Sequence, residues 1–247
     1  MIIIANWKMN PENSMKAEEL FSAVTKEIEN MEGVTAVICP PFVFLSSLKP
    51  SGAVALGAQD CFWNTTGAFT GEVSPGMLHD AGCRYVILGH SERKNMLGET
   101  LEMVNKKIAA CLEIGIIPIV CIGEKEKQEE NGGELAEQMK TVFQGIEIQD
   151  ASQIVVVYEP EWAISTHSKG IPAVPEDARN AQEIIREECI VLFGAEKGKN
   201  IPILYGGSVN SKNIKDFISK GEFQGALVGS ASLDASEFVQ LVKNTIL

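Results

Sequence analysis

The chain alternates between two kinds of segment. Runs that are nearly all apolar and rich in β-branched residues stand at Ile2–Ala5, Ala36–Cys39, Val54–Ala58, Tyr85–Leu88, Ile116–Ile122, Ile154–Tyr158, Pro202–Tyr205 and Gly225–Val228. A strand covered on both faces reads this way, because neither side of its pleat meets water. Between these runs, apolar residues recur at helical spacing over Ser14–Met31, Thr100–Ile114, Glu134–Ile146, Pro175–Phe193 and Ser236–Leu247. Gly115 stands where a helix C-terminal glycine belongs, and Pro175 opens its helix where proline suits the first turn. Eight strands, each followed by helix and with no Pro- or Ser-rich linker between them, predict an α/β fold. Its simplest form is one closed, single-domain (β/α)8 barrel over residues 1–247.

The rival architecture is an open doubly wound sheet, and its fingerprint is missing: no G-x-G-x-x-G follows the first strand. The run from Gly194 to Asn200 imitates a phosphate loop, but it is one residue short, ends in Asn and precedes a strand instead of a helix. The charge-rich Glu124–Glu137 run reads as the solvated start of a helix.

Composition narrows the function. The 247 residues carry 21 basic and 33 acidic side chains, a net charge of −12. That acidity argues against nucleic acid or an anionic membrane as partner, since both select basic surfaces. A small anion remains compatible, because one local positive pocket overrides a global sum. Cys39, Cys61, Cys83, Cys111, Cys121 and Cys189 show no CxxC spacing and sit in apolar segments. They read as reduced, buried thiols of a cytoplasmic protein rather than a metal site or a disulfide framework. The apolar Met1–Ala5 gives way at once to Asn6 and Lys8, unlike a signal peptide, and Pro118 interrupts the longest apolar stretch, Ile114–Gly123.

Barrel enzymes place their chemistry at the C-terminal ends of the strands. There the first strand runs into Asn6 and Lys8, the fourth into His90, Ser91 and Glu92, and the sixth into Glu159. The seventh ends in Gly206-Gly207-Ser208 and the eighth in Gly229-Ser230. Singly, each of these has an ordinary structural explanation. Converging at one end of a barrel, a lysine, a histidine, a carboxylate and two glycine-rich turns suit proton abstraction beside a carbonyl on a small phosphorylated substrate.

Four of these strand ends resemble a known family. Asn6-Trp7-Lys8-Met9-Asn10, Gly89-His90-Ser91-Glu92-Arg93, Tyr158-Glu159-Pro160 with Trp162-Ala163-Ile164, and Tyr205-Gly206-Gly207-Ser208-Val209-Asn210 are similar to signatures of the triosephosphate isomerases. So is the segment from Gly57-Ala58-Gln59-Asp60 to Glu72, and the likeness runs in order from Ile3 to Leu233.

The resemblance implies a TIM barrel that interconverts dihydroxyacetone phosphate and glyceraldehyde 3-phosphate through an enediol(ate), with no metal or organic cofactor. By similarity, Glu159 is the general base, and His90 polarises the carbonyl as a neutral imidazole. Lys8 faces the developing oxyanion, Asn6 adds a hydrogen bond, and Glu92 steadies the Lys8–His90 region. The phosphate would rest on backbone N–H groups of Ser165, Ser208, Gly229 and Ser230. Ser165 belongs to a lid, roughly Pro160 to Val174, whose closure keeps water from the intermediate. The Gln59–Glu72 loop would form a homodimer contact, with Thr70 reaching the neighbouring subunit's site.

This chain also departs from the family pattern. Glu161 stands where an apolar residue is usual, Ser165 and Ser230 replace glycines, and Thr166–Val174 is longer than its counterpart. Serine donates the same N–H but adopts positive φ less cheaply than glycine. Glu161 is a second carboxylate beside the base, able to perturb it or to strain the following turn. Drift on a surface loop explains these changes, and so does a different substrate such as a tetrulose phosphate. A Schiff-base aldolase built on Lys8 is the alternative chemistry.

Overall fold

The computed structural model describes residues 1–127, 133–163 and 173–246. Its strands are β1 (Ile2–Asn6), β2 (Thr35–Cys39), β3 (Val54–Ala58), β4 (Cys83–Leu88), β5 (Ile117–Ile122), β6 (Val155–Tyr158), β7 (Ile203–Tyr205) and β8 (Gly225–Val228). They pair in parallel in chain order, and β8 closes onto β1. Around them lie α1 (Ser14–Ile28), α2 (Pro75–Asp80), α3 (Ser91–Leu97), α4 (Leu101–Ile114), α5 (Gly133–Val142), α6 (Pro175–Phe193), α7 (Ala195–Gly198), α8 (Ile214–Ser219) and α9 (Ala235–Lys243). This is the closed (β/α)8 barrel that the alternation predicts. Among the described residues no helix is long and apolar enough to cross a membrane.

The pleat explains both the apolar runs and the location of the polar residues. Successive strand residues point to opposite faces. Ile3 and Ala5 of β1 therefore join the large core between strands and helices. Ile4 instead joins a second cluster inside the barrel, with Val37, Ile87, Ile119, Cys121, Val157, Leu204 and Leu227. One further inward step, two residues along, reaches Asn6 from Ile4, Glu159 from Val157, Gly206 from Leu204 and Gly229 from Leu227. All four of these residues line one cavity. The polar end of the barrel is thus the continuation of its apolar interior.

Several boundaries move. The apolar spacing through Phe143 and Ile146 suggests a longer α5, but the helix stops at Val142 and the chain turns at Gly145, whose φ is +69°. The short helices α2, α3, α7 and α8 hold too few turns to show a period. Glu124 corrects the reading of the charged run. It is buried at the end of β5, where it accepts hydrogen bonds from the Tyr158 hydroxyl at 2.6 Å and Trp162 Nε1 at 3.0 Å. Burial, with the Glu124 carboxylate next to it, pushes the Tyr158 phenol above its ordinary range, so it remains a donor to Glu124.

Gly123, the residue after β5, makes room for Glu159. A Cβ there would lie 1.8 Å from the Glu159 carbonyl oxygen. Gly123→Ala is therefore expected to push the β6 exit away, at a cost of roughly 1–3 kcal/mol. Chemical denaturation of the variant, with an activity measurement beside it, checks both consequences.

Candidate active site

At the β1 exit the chain turns sharply. Lys8 has φ +53°, a left-handed conformation that costs a non-glycine residue on the order of 1–3 kcal/mol. Two bonds hold it there: the Lys8 N–H donates to Asn6 Oδ1 at 3.0 Å, and Gln59 Nε2 donates to the Lys8 carbonyl at 2.8 Å. The Lys8 ammonium reaches Glu92 Oε1 at 2.5 Å and lies beside Gly229, where a Cβ would stand 3.9 Å from Nζ. Glu92 thus stations the cation at the ends of β1 and β8.

His90 precedes α3, and its orientation follows from that helix. Its Nδ1 accepts the Glu92 N–H at 3.2 Å, which requires that Nδ1 carry no proton. The ring proton then sits on Nε2, 3.1 Å from Glu159 Oε1. In that arrangement the ring's remaining donor is aimed into the site.

Glu159 is 1% exposed and fully engaged. Besides His90, the Ser91 N–H donates to its Oε2 at 2.9 Å and the Ser91 hydroxyl to its Oε1 at 2.9 Å. The floor beneath it is apolar. Burial first, and the Glu159 charge second, push the Cys121 thiol well up, so that sulfur stays neutral.

Asn6, Lys8, His90, Glu159, Ser208, Gly229 and Ser230 all line one cavity of about 590 Å³. Its opposite wall is glycine-rich and comes from Gly206, Gly207 and the turn that begins at Gly229. The Ser208 hydroxyl donates to the Ala163 carbonyl at 3.3 Å, joining that wall to the segment after Glu159. Glu92 touches Lys8 without being part of the wall. Thr70 is exposed on the loop between β3 and α2, away from this cavity. Ser165 and most of the expected lid, residues 164–172, lie outside the described residues. Among the described residues, no cluster of three His, Cys, Asp or Glu side chains is placed to hold a metal ion.

The profile of the family described as "Triosephosphate isomerase" matches residues 1–245. The chain belongs to the triosephosphate isomerase family. It is 44% identical over 247 residues to the triosephosphate isomerase of Aquifex aeolicus (strain VF5), with 98% of both chains covered. It is 43% identical over 249 residues to that of Dictyoglomus thermophilum, again covering 98% of each. The triosephosphate isomerase of Dehalococcoides mccartyi (strain CBDB1) is 43% identical, with 98% of this chain and 95% of the relative covered.

The signatures contain Ser91 and Gln59 but do not reveal which residues these two hold. Ser91 is adjacent to His90, yet its partner Glu159 lies 68 positions away, and no local pattern pairs them. Gln59 belongs to a loop read as a subunit contact, and it also braces the Lys8 turn. Glu161, read as a second carboxylate able to perturb the base, is buried and paired: Lys94 Nζ lies 3.0 Å from its Oε1, and Asn95 Nδ2 donates to its Oε2 at 2.7 Å.

Proposed function

We propose that this chain is a triose-phosphate isomerase that interconverts dihydroxyacetone phosphate and D-glyceraldehyde 3-phosphate. The observation that carries this reading is the meeting of Glu159, the Nε2–H of His90 and the Lys8 ammonium in one cavity. In the forward step the Glu159 carboxylate takes the proton from the hydroxyl-bearing carbon next to the carbonyl. The electron pair moves into the new carbon–carbon double bond, and the carbonyl oxygen becomes the enediolate oxygen. His90 Nε2–H and the Lys8 ammonium face that oxygen as its charge develops. His90 Nε2 then gives its proton to the enediolate oxygen and takes one back from the hydroxyl of the first carbon. Glu159 delivers its proton to the neighbouring carbon, so the carbonyl re-forms where the hydroxyl stood and the composition is unchanged. Asn6 holds the Lys8 turn. The backbone N–H groups of Ser208, Gly229 and Ser230, with Ser165, receive the phosphate.

The same reading takes the protein to be a cytoplasmic homodimer folded as one domain over 1–247. Six buried, unbridged thiols fit a reducing compartment. The Thr70 loop also exposes Phe69, and α2 exposes Met77, apolar side chains suited to a subunit contact.

A coupled assay with each triose phosphate, repeated with a tetrulose phosphate and with inorganic phosphate as competitor, tests the activity. Turnover is expected in both directions, with kcat/KM highest for the triose and competitive inhibition by phosphate. A preference for the tetrulose would overturn the substrate assignment. Borohydride added with substrate is expected to trap nothing on Lys8, because an ammonium paired with Glu92 is not the free amine an imine needs.

A further inference from the structure

Glu161 and its two partners have no part in the mechanism above, yet they sit next to it. The carboxylate is 7% exposed. It lies in the short turn Glu161–Ala163 that follows Glu159 and Pro160, and its own N–H donates to the Glu124 carbonyl at 3.1 Å. Each oxygen has a separate partner, Lys94 on one and Asn95 on the other. Both partners belong to α3, the helix that begins with Ser91.

The spacing makes this a matched pair of grips. Residues three and four apart share one face of a helix, so Ser91, Lys94 and Asn95 face the same way. Along the β6 exit, Glu159 and Glu161 are alternate residues. One helix face therefore holds both: Ser91 takes the base, and Lys94 with Asn95 take the carboxylate two residues on. Stability alone is a weak reason to keep this pair, because apolar replacements of buried ion pairs are often neutral or better. A two-point clamp supplies direction, which an apolar contact does not.

We propose that Glu161 is a positioning residue of the isomerase reaction. By bridging Lys94 and Asn95 it fixes the β6 exit against α3, and with it the place of the Glu159 carboxylate relative to His90. This inference rests on the activity proposed above. It also inverts the expectation that Glu161 disturbs the base, because its charge is answered by Lys94 rather than left facing Glu159.

Three variants test it: Glu161→Val, Lys94→Met and the double variant. Each single variant leaves one member of the pair without its ionic partner and is expected to lower Tm. The double variant removes both charges and should recover Tm, but it still lacks the clamp. If the clamp positions the base, kcat falls at least about tenfold in all three, because small misplacements of reacting groups are costly. KM and the inhibition constant of inorganic phosphate change far less than kcat, since three of the four proposed phosphate donors, Ser208, Gly229 and Ser230, follow β7 and β8. Glu161→Gln keeps the shape and the bond to Asn95, and it carries the same comparison should Glu161→Val fail to fold. Wild-type kcat in the folded single variants, or its recovery in the double variant, overturns the proposal. The wild-type chain measured alongside separates the two readings. Absence of turnover there overturns the activity itself, whereas wild-type turnover undiminished in the variants overturns only the role of Glu161.

Discussion

Replacing Glu159 with glutamine is expected to lower kcat by about 10²–10⁴-fold, the range a positioned general base contributes. Glutamine keeps the length of the side chain and one acceptor oxygen for Ser91, although its amide nitrogen cannot replace the second acceptor. What it loses is the lone-pair basicity that takes a proton from carbon. Glu159→Asp separates chemistry from reach: it retains a carboxylate but withdraws it by one methylene, and a misplacement of that size costs on the order of 10²-fold. Inorganic phosphate should inhibit both variants as it inhibits the wild type, because its wall is built from Gly206, Gly207 and the Gly229 turn. Steady-state kinetics with phosphate as competitor read all of this. Wild-type turnover in Glu159→Gln would show that another group is the base.

Lys107→Met is expected to destabilise the fold by about 3–5 kcal/mol, the cost of breaking a buried pair by removing one partner. Lys107 is 4% exposed on α4. Its ammonium lies 2.7 Å from Asp60 Oδ1 and is also bonded to Glu99, while Arg93 Nη2 meets Asp60 Oδ2 at 2.7 Å. Against burial, which works to lower it, Asp60 and Glu99 hold the Lys107 ammonium above its ordinary range. Burial pushes the Asp60 carboxyl up to about 6 from 3.8, the nearby Glu99 charge adds to this, and Lys107 and Arg93 pull the other way.

The pH dependence follows from that sign. A carboxyl raised on folding contributes most to stability below its unfolded value, near 4, and loses that contribution as pH rises through about 6. Removing Lys107 withdraws a charge that favours ionised Asp60, so the loss deepens and extends to higher pH. Urea denaturation at pH 4 and pH 8 should therefore show a smaller gap between variant and wild type at pH 4. An equal or larger gap at pH 4 would mean that the lysine serves Glu99 rather than Asp60.

The strands were legible because burial on both faces leaves runs such as Ile154–Tyr158 almost without polar residues. Tyr85–Leu88 falls short by two residues where the other runs match their strands to within one, since β4 extends back to Cys83 past Arg84, whose exposed side chain interrupts the apolar run. The strand ends were legible as well: Asn6, His90 and Glu159 are abrupt polar residues after apolar runs. The relations across the barrel were not. Ser91 holding Glu159, Gln59 bracing Lys8, and Lys94 and Asn95 answering Glu161 all join residues far apart in the chain. Glu124 misled for a related reason. In sequence it opens a charged run, and only in space does it meet the Tyr158 hydroxyl and the Trp162 indole.

The position of Glu159 has a consequence for how a ligand enters. Its Oε1 lies 3.1 Å from His90 Nε2, the donor that the mechanism proposed above assigns to the substrate carbonyl. The side chain is thus a placeholder, and substrate arrival is an exchange of one oxygen for another on the same donor. The same arrangement weakens the grip on any ligand that cannot displace the carboxylate. Compounds that carry only a phosphate leave the placeholder where it is, whereas those with an oxygen at the carbonyl position must evict it.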